Sequence, residues 1–152
     1  MAETETPATE GHSTVFQLRP VGKVEKKGKA TALRIDERHV KALKGLEDWS
    51  HVWVFYWFDK NDTPTKRGVS QVHPRGNRKN PLTGVFACRA PVRPNLIALS
   101  LCKIVSIEGS VVQIDRIDAF DNTPILDLKP YYPAIDRPRQ ADVRLPDWIT
   151  RK

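Results

Sequence analysis

The side chains best suited to hold an anionic ligand lie between residues 73 and 93. Arg75, Arg78, Lys79, Arg89 and Arg93 occur there among prolines and glycines. A guanidinium holds a carboxylate or phosphate through paired N–H donors, and an ammonium does so as a point charge. Solvated surface charges are the alternative. Rigid loops favour a binding role, because they lose less entropy when they close around a ligand.

A second polar segment, Asp121-Asn122-Thr123-Pro124, has the composition of a tight turn. Asp and Asn accept backbone N–H hydrogen bonds, and proline fixes the chain beyond them. Both a structural turn and a ligand-binding loop fit this composition. His73, which precedes a proline, fits either a structural hydrogen-bonding group or a base. Asp127 and Lys129 lie on one face of a strand, where an ion pair and separate functional roles are both open.

Short β-strands must position these loops. Apolar runs bounded by turn residues predict strands over residues 15–18, 21–24, 30–35, 49–58, 69–72, 84–88, 97–107, 111–117 and 125–128. Glu108-Gly109-Ser110 predicts the turn of a hairpin. One short helix is expected over residues 37–44, capped by Asp36 and ended by Gly45. The pattern is mainly β and predicts a small antiparallel barrel with one short helix.

The aromatic run from 49 to 58 is nearly continuous in apolar character. It predicts burial on both faces, or burial of one face against a second subunit, and we expect Trp53, Phe55 and Trp57 to be core residues. Cys88 and Cys102 lie in apolar runs and are expected to be buried thiols. No CxxC or Cys/His cluster is present, so no metal site is expected.

The length of 152 residues predicts a single domain. The net charge is +7, because 25 Lys and Arg face 18 Asp and Glu. This excess favours a polyanionic partner, although a merely soluble basic protein fits it equally well. Residues 1–13 are polar and predict a disordered tail. No signal-peptide pattern or membrane-length apolar run occurs, so we expect a cytoplasmic protein with no membrane association.

Several segments between residues 18 and 136 resemble one family closely. They include His73-Pro74-Arg75-Gly76, Pro81-Leu82-Thr83-Gly84-Val85-Phe86-Ala87-Cys88-Arg89, Arg93-Pro94-Asn95 and the run from Asp118 to Tyr131. These segments resemble the S-adenosylmethionine (SAM)-dependent TrmO-like methyltransferases, also called YaeB- or TsaA-like, which methylate N6 of threonylcarbamoyladenosine beside the tRNA anticodon. The resemblance implies a barrel over residues 14–137 that binds SAM outside the Rossmann architecture. The absence of a GxGxxG loop agrees with this.

The resemblance also implies the partners and the site. The partners would be a tRNA anticodon stem-loop and a second subunit, and residues 138–152 would form an extension that packs on the barrel or on that subunit. The implied cofactor-binding residues are Asp59, Lys60, Arg89, Leu99, Asp121, Asn122, Thr123 and Pro124. We expect phosphate contacts from Arg75, Arg78, Lys79, Arg93 and Lys129.

A carbamoylated N6 is a poor nucleophile, so a base or polarising donor would help methyl transfer. His73, Asp127 and Tyr131 are the expected candidates within the matching segments. Two positions depart from the family pattern: Leu96 stands where many members have proline, and Asn122 stands where many have glycine. Asn tolerates positive φ, so we expect the turn to survive. The alternatives are a methyltransferase of the same fold with another substrate, and a non-catalytic RNA-binding barrel.

Overall fold

The computed structural model describes residues 14–150 of the chain. Its strands are β1 (Gly22–Lys27), β2 (Ala30–Ile35), β3 (His51–Trp57), β4 (Gln71–Val72), β5 (Thr83–Gly84), β6 (Ile97–Glu108), β7 (Val111–Ile114) and β8 (Pro124–Pro130). Its α-helices are α1 (Pro64–Arg67), α2 (Pro133–Asp136) and α3 (Asp147–Thr150). The tail expected over residues 1–13 lies outside the described part of the chain.

Six antiparallel strands close into a barrel in the order β1-β2-β7-β6-β3-β8. The predicted fold class is therefore confirmed. Strands β4 and β5 pair with each other in a separate insert, which runs from residue 58 to 96 between β3 and β6. The insert carries most of the cations singled out in the sequence.

Alternating side chains fill the barrel. The buried positions of four different strands include Val24, Leu33, Val54 and Val112, and none of these side chains is exposed to solvent. β-Branched residues at every second position suit a strand with one buried face. Strands β1 and β2 approach so closely at Gly22 that a Cβ there would collide with the carbonyl oxygen of Arg34. Glycine is therefore required at that point of the barrel wall.

The prediction that the three aromatic residues of β3 are core residues is wrong. Val52, Val54 and Tyr56 point into the barrel, whereas Trp53, Phe55 and Trp57 lie half-buried on its outer face. Antiparallel pairing on both sides fixes this alternation.

Two of the outward indoles are tied down at their polar edge. The indole N–H of Trp53 donates to Asp136, and that of Trp57 donates to Asp62. Neighbouring segments thus cover part of the aromatic face. The rest of that face remains available for contact with another molecule.

Local predictions failed mainly where turns are tight. The expected α-helix over residues 37–44 is a 3-10 helix, Glu37–Leu43, and the side chain of Asp36 does not cap it. Residues 15–18 are extended but pair with no strand that the structure describes. The expected strand over residues 84–88 shrinks to β5, followed by a 3-10 turn at Val85–Ala87.

The three α-helices are single turns that the sequence pattern did not predict. A signal for α1 is present, because the hydroxyl of Thr63 accepts from the N–H of Lys66 and Pro64 occupies the first helical position. Between residues 14 and 150, no helix is long and apolar enough to span a bilayer.

Candidate cofactor and RNA site

The loop between β7 and β8, residues 115–123, closes one end of the barrel. Its carbonyl at Asp118 accepts a 2.7 Å hydrogen bond from the hydroxyl of Tyr56, which also lies 3.1 Å from the hydroxyl of Ser100. At the start of the loop, the carboxylate of Asp115 accepts from the N–H of Lys103 at 2.8 Å. The loop is therefore fixed to β6 through Lys103 and to the end of β3 through Tyr56.

The turn 121–124 is held by strand β1. The carboxylate of Asp121 accepts from the backbone N–H of Lys26 at 2.8 Å, and the N–H of Asn122 donates to the carbonyl of Val24 at 2.8 Å. Asn122 has a φ of 65°, which confirms that the turn survives with asparagine in place of glycine. Thr123 is buried. One carboxylate oxygen of Asp121 thus has a structural role, and the turn is rigid before any ligand arrives.

The predicted pair Asp59 and Lys60 lies at the same end of the barrel. A 3-10 turn, Asp59–Asn61, follows β3 directly. The ammonium of Lys60 lies 4.5 Å from the ring centroid of Phe120, within the β7–β8 loop. The structure therefore brings this turn against the loop that contains residues 121–124. Phe120 is 66% exposed, so its ring presents an aromatic surface beside the cation.

Leu99 lies on the outer face of β6, opposite Phe55. Its backbone faces a free strand edge. The carbonyl of Leu96 accepts from Phe58 and the N–H of Ile104 donates to Ser50, so the even-numbered residues of this stretch point their backbone groups at β3. Since this direction alternates along a strand, Leu99 points its N–H and C=O the other way.

No described strand pairs with β6 on that side before Ile104, where β7 begins its pairing. A free N–H and C=O on an open edge can bind a flat heterocycle that offers one acceptor and one donor. The edge of an adenine ring has that pattern. The resemblance implies that Leu99 packs against the cofactor, and its free backbone groups are suited to add hydrogen bonds there.

Arg89 follows the 3-10 turn rather than the end of a barrel strand. It is exposed, and its charge acts on Tyr56. Burial raises the pKa of the Tyr56 hydroxyl, the charge of Asp118 adds to the rise, and the charge of Arg89 opposes it. The amide of Asn61 donates to the carbonyl of Pro91 at 3.2 Å and joins the insert to the closed end of the barrel.

The cations expected to meet RNA differ in their availability. Arg75, Arg78 and Lys79 are exposed on the insert. The guanidinium of Arg93 instead donates to the carbonyls of Cys88 and Ala90 and so holds the loop that carries Arg89. For Arg93 the contacts are structural, and its contact with phosphate stays a prediction.

Lys129 lies 3.4 Å from the carboxylate of Asp127, so the ion-pair alternative is realised for these two residues. Asp127 lies three residues beyond Pro124, and Tyr131 lies seven residues beyond it. Because an extended strand rises by about 3.3 Å per residue, both residues are separated along the chain from the 121–124 turn. Tyr131 packs against His51 and Trp53, near the start of β3.

His73 lies in the insert, where its Nδ1 is 2.8 Å from the carbonyl of Asn80. Within one chain, the three expected catalytic residues are not assembled, and their roles stay predictions.

The two cysteines differ in their environments. Cys102 is fully buried in the barrel, and burial, reinforced by the nearby charge of Asp115, raises the pKa of its thiol to about 12. Cys88 is half-buried and borders a cavity of the insert. Both thiols are free. No group of three or more His, Cys, Asp or Glu side chains among residues 14–150 is arranged to hold a metal ion.

Three residues important to this end of the molecule escaped the sequence reasoning. Tyr56 was hidden in an apolar strand, although its spacing of two from Val54 and four from Val52 could have suggested a buried hydroxyl that needs a partner. Phe120 lies inside a matching segment but has no distinctive spacing. Trp148 lies in the extension expected over residues 138–152, for which no contact with the insert was predicted, and the structure shows it buried against the insert.

The fold and the loops together define a small closed antiparallel barrel with a preformed, cation-bordered site at one end. This class is distinct from the parallel Rossmann sheets that bind nucleotides at a glycine-rich turn. The sequence profile of the tRNA-methyltransferase O N-terminal domain matches residues 13–137, so the chain belongs to that family. The predicted family is thereby confirmed.

Individual relatives agree with this assignment. A probable S-adenosyl-L-methionine-binding protein of Methanocaldococcus jannaschii is 42% identical over 125 residues, which cover 82% of this chain and 99% of the relative. The tRNA (adenine(37)-N6)-methyltransferase of Mus musculus is 42% identical over 102 residues, which cover 67% of this chain and 23% of the mouse protein. The crystal structure of TrmO from Pseudomonas aeruginosa superposes with a TM-score of 0.69 at 28% identity, covering 91% of this chain and 64% of that chain. The chain thus spans nearly all of the archaeal relative but only part of the other two proteins.

Proposed function

We propose that this protein is a SAM-dependent methyltransferase that acts on N6 of adenosine 37 in tRNA, with the threonylcarbamoylated adenosine as its substrate. Membership of the family and the names of the archaeal and mammalian relatives support the cofactor and the reaction. One observation carries the proposal furthest. The Asp59–Asn61 turn and the 121–124 turn meet at one end of the barrel, through the contact of Lys60 with Phe120.

The chain's own groups fit a SAM molecule at this end. The free N–H and C=O of Leu99 suit the edge of an adenine ring, and the guanidinium of Arg89 suits a carboxylate. When bound, SAM supplies the methyl group. Methyl transfer from a sulfonium requires in-line placement of the nucleophile in a site that excludes water. The rigid 121–124 turn contributes that placement, because its hydrogen bonds to β1 fix it in advance.

The acceptor nitrogen carries a carbamoyl group, which delocalises its lone pair. A group that removes or polarises the N6 proton would therefore speed the reaction. His73 is the expected candidate on the insert, which also carries Arg89, and its Nε2 is not used in the contact with Asn80. Asp127 lies on β8 and Tyr131 directly follows that strand, and their roles are alternatives within the same proposal.

A homodimer is part of the proposal, and the apolar outer face of β3 and β6 supports it. Ile97 and Leu101 are 42% and 40% exposed and lie opposite Trp57 and Trp53 of β3, and Val105, which is 61% exposed, lies further along β6. Contiguous apolar surface of this kind marks an interface more often than open surface. A Leu101→Glu substitution should convert a dimer to a monomer in sedimentation, whereas a monomeric wild-type protein would contradict this part of the proposal. A cytoplasmic location, where tRNA is modified, belongs to the same proposal.

The test of the substrate is nucleoside analysis after incubation with SAM. One tRNA carries threonylcarbamoyladenosine at position 37 and a second carries plain adenosine there. The proposal predicts a gain of one methyl group on the carbamoylated nucleoside alone. Methylation of both tRNAs, or of neither while SAM still binds, would favour a related enzyme with a different substrate. RNA binding without any SAM binding would favour a non-catalytic barrel.

A further inference from the structure

The cavity that borders Cys88 also borders Arg89. It lies between the insert and the C-terminal residues 138–150, which we call the strap. Its volume is about 980 Å³, at the upper end of the range for small-molecule sites. His73, Arg75, Phe86 and Arg89 border it from the insert, and Trp148 borders it from the strap. The strap lies beyond residue 137, where the match to the family ends. Part of this cavity is therefore built by residues outside the matched domain.

The strap is anchored by one aromatic side chain. Trp148 is only 9% exposed, although the residues before it in the strap are exposed. The guanidinium of Arg75 lies 5.9 Å from the centroid of its ring. Arg75 reaches this position with a φ of 60°, a conformation that costs a non-glycine residue about 1 kcal/mol or more. A strained arginine held over a buried indole indicates that the surroundings impose this arrangement.

The opposite wall presents an aromatic ring that nothing in the described chain covers. Phe86 is 83% exposed, in the 3-10 turn that leads to Arg89. Among the described residues that line the cavity, two are arginines and none carries a carboxylate. Arg78 and Lys79 continue the positive charge on the adjoining turn of the insert. An open aromatic face bordered by cations is complementary to a flat base attached to a phosphate.

We propose that this cavity holds an unstacked nucleobase from a single-stranded loop of RNA, stacked on Phe86, with its phosphate held by Arg75, while Arg89 stays with the carboxylate of the cofactor. The inference rests on the proposed function, because it places the RNA substrate beside the cofactor end of the barrel. Arg89 borders the cavity, and Pro91, which also borders it, accepts a hydrogen bond from Asn61 at that end. A base bound here is either the target adenine or its 3′ neighbour.

The test measures the affinity of the full chain for an anticodon stem-loop RNA. Phe86→Ala should weaken RNA binding about 10- to 100-fold, as expected for the loss of one base–aromatic stacking contact. Phe16→Ala is the matched control, since Phe16 is also 83% exposed but lies in the segment before β1. Trp148→Phe keeps an anchor ring and should lose less affinity than Trp148→Ala. Equal RNA affinity of wild type and Phe86→Ala would overturn the inference.

Photocrosslinking identifies the base. 5-Iodouridine placed at the target position or at its 3′ neighbour should crosslink to Phe86 or Trp148 from one of these two positions, and crosslinks confined to other residues would overturn the inference. SAM affinity, measured on the same variants, separates the two proposals. If Phe86→Ala methylates tRNA at the wild-type rate and with an unchanged KM, the nucleobase site in the cavity is rejected and the methyltransferase proposal is retained. A wild-type protein that binds neither SAM nor RNA would reject both. A changed sedimentation coefficient of Phe86→Ala with unchanged RNA affinity would assign the ring to a subunit contact instead.

Discussion

The hydroxyl of Tyr56 donates a 2.7 Å hydrogen bond to the backbone carbonyl of Asp118. This contact joins a strand of the barrel wall to the loop that closes the barrel and carries residues 121–124. Burial raises the pKa of the hydroxyl, so it remains a protonated donor throughout the physiological range. The cofactor end of the molecule is therefore positioned from inside the barrel.

Removal of that hydroxyl should loosen the loop without opening a cavity. Tyr56→Phe is expected to lower the free energy of unfolding by about 1–2 kcal/mol, because a half-buried carbonyl loses its donor. SAM affinity should fall with it. Chemical denaturation and calorimetry measure the two effects, and Tyr132→Phe, at a tyrosine that is 49% exposed, is the control. Unchanged stability and affinity in Tyr56→Phe would show that the loop is held by its other contacts.

Arg89 should contribute to SAM binding through a charge-assisted hydrogen bond. Arg89→Ala is expected to cost about 1.5–3 kcal/mol of binding free energy, or roughly 10- to 150-fold in Kd. Arg78→Ala changes another exposed arginine of the same insert and should leave SAM affinity intact. Titration calorimetry with SAM compares the variants. An Arg89→Ala protein that is folded and binds SAM as tightly as wild type would remove Arg89 from the cofactor site.

The left-handed conformation of Asn122 predicts a different response to two small substitutions. Asn122→Gly should be tolerated, because glycine adopts a positive φ without steric cost. Asn122→Ala should destabilise the protein by about 1 kcal/mol and weaken SAM binding, because alanine disfavours this conformation. Thermal unfolding of both variants measures the difference. Equal melting temperatures would indicate that the turn changes its backbone conformation freely.

Asp115 should make the free energy of unfolding depend on pH in the acid range. Burial acts to raise the pKa of this carboxyl, but hydrogen bonds from the backbone N–H groups of Lys103 and Arg116 outweigh it, and the folded pKa lies below the ordinary value. A depressed folded pKa contributes stability above the unfolded pKa of about 3.9, and this contribution is lost as the pH falls through the folded value.

The Asp115→Asn variant isolates this effect. It keeps an oxygen that accepts from the N–H of Lys103, and it loses the charge and one acceptor oxygen. We expect it to be less stable than wild type at neutral pH and equally stable at a pH below the folded pKa. Denaturant titrations across the acid range measure the difference. A constant difference between the two proteins at every pH would exclude Asp115 as its source.

Much of the fold could be predicted from the sequence, because turn residues and β-branched alternation are local signals. Strand β2 has the predicted bounds, and the hairpin of β6 and β7 turns at the expected Glu108-Gly109-Ser110. Which side chains of β3 point into the barrel could not be predicted in the same way. Its seven residues are all apolar or aromatic apart from His51, so the pattern does not distinguish the inside from the outside of the barrel.

The candidate site was predictable only in part. The segments that meet at the closed end were identified by family resemblance, and the positive φ of Asn122 follows from the chemistry of asparagine. Long-range contacts were not predictable, because the pairing of Lys60 with Phe120 and of Arg75 with Trp148 depends on how the insert and the strap return to the barrel. A single sequence carries no local signal for such contacts.

The measurement that tests the central claim most directly is calorimetric titration of the protein with SAM and with its demethylated product. The account predicts that both bind in the micromolar range, since the two ligands share the adenine and carboxylate groups that Leu99 and Arg89 are suited to hold. No binding of either ligand would contradict the assignment of the closed end of the barrel as a cofactor site.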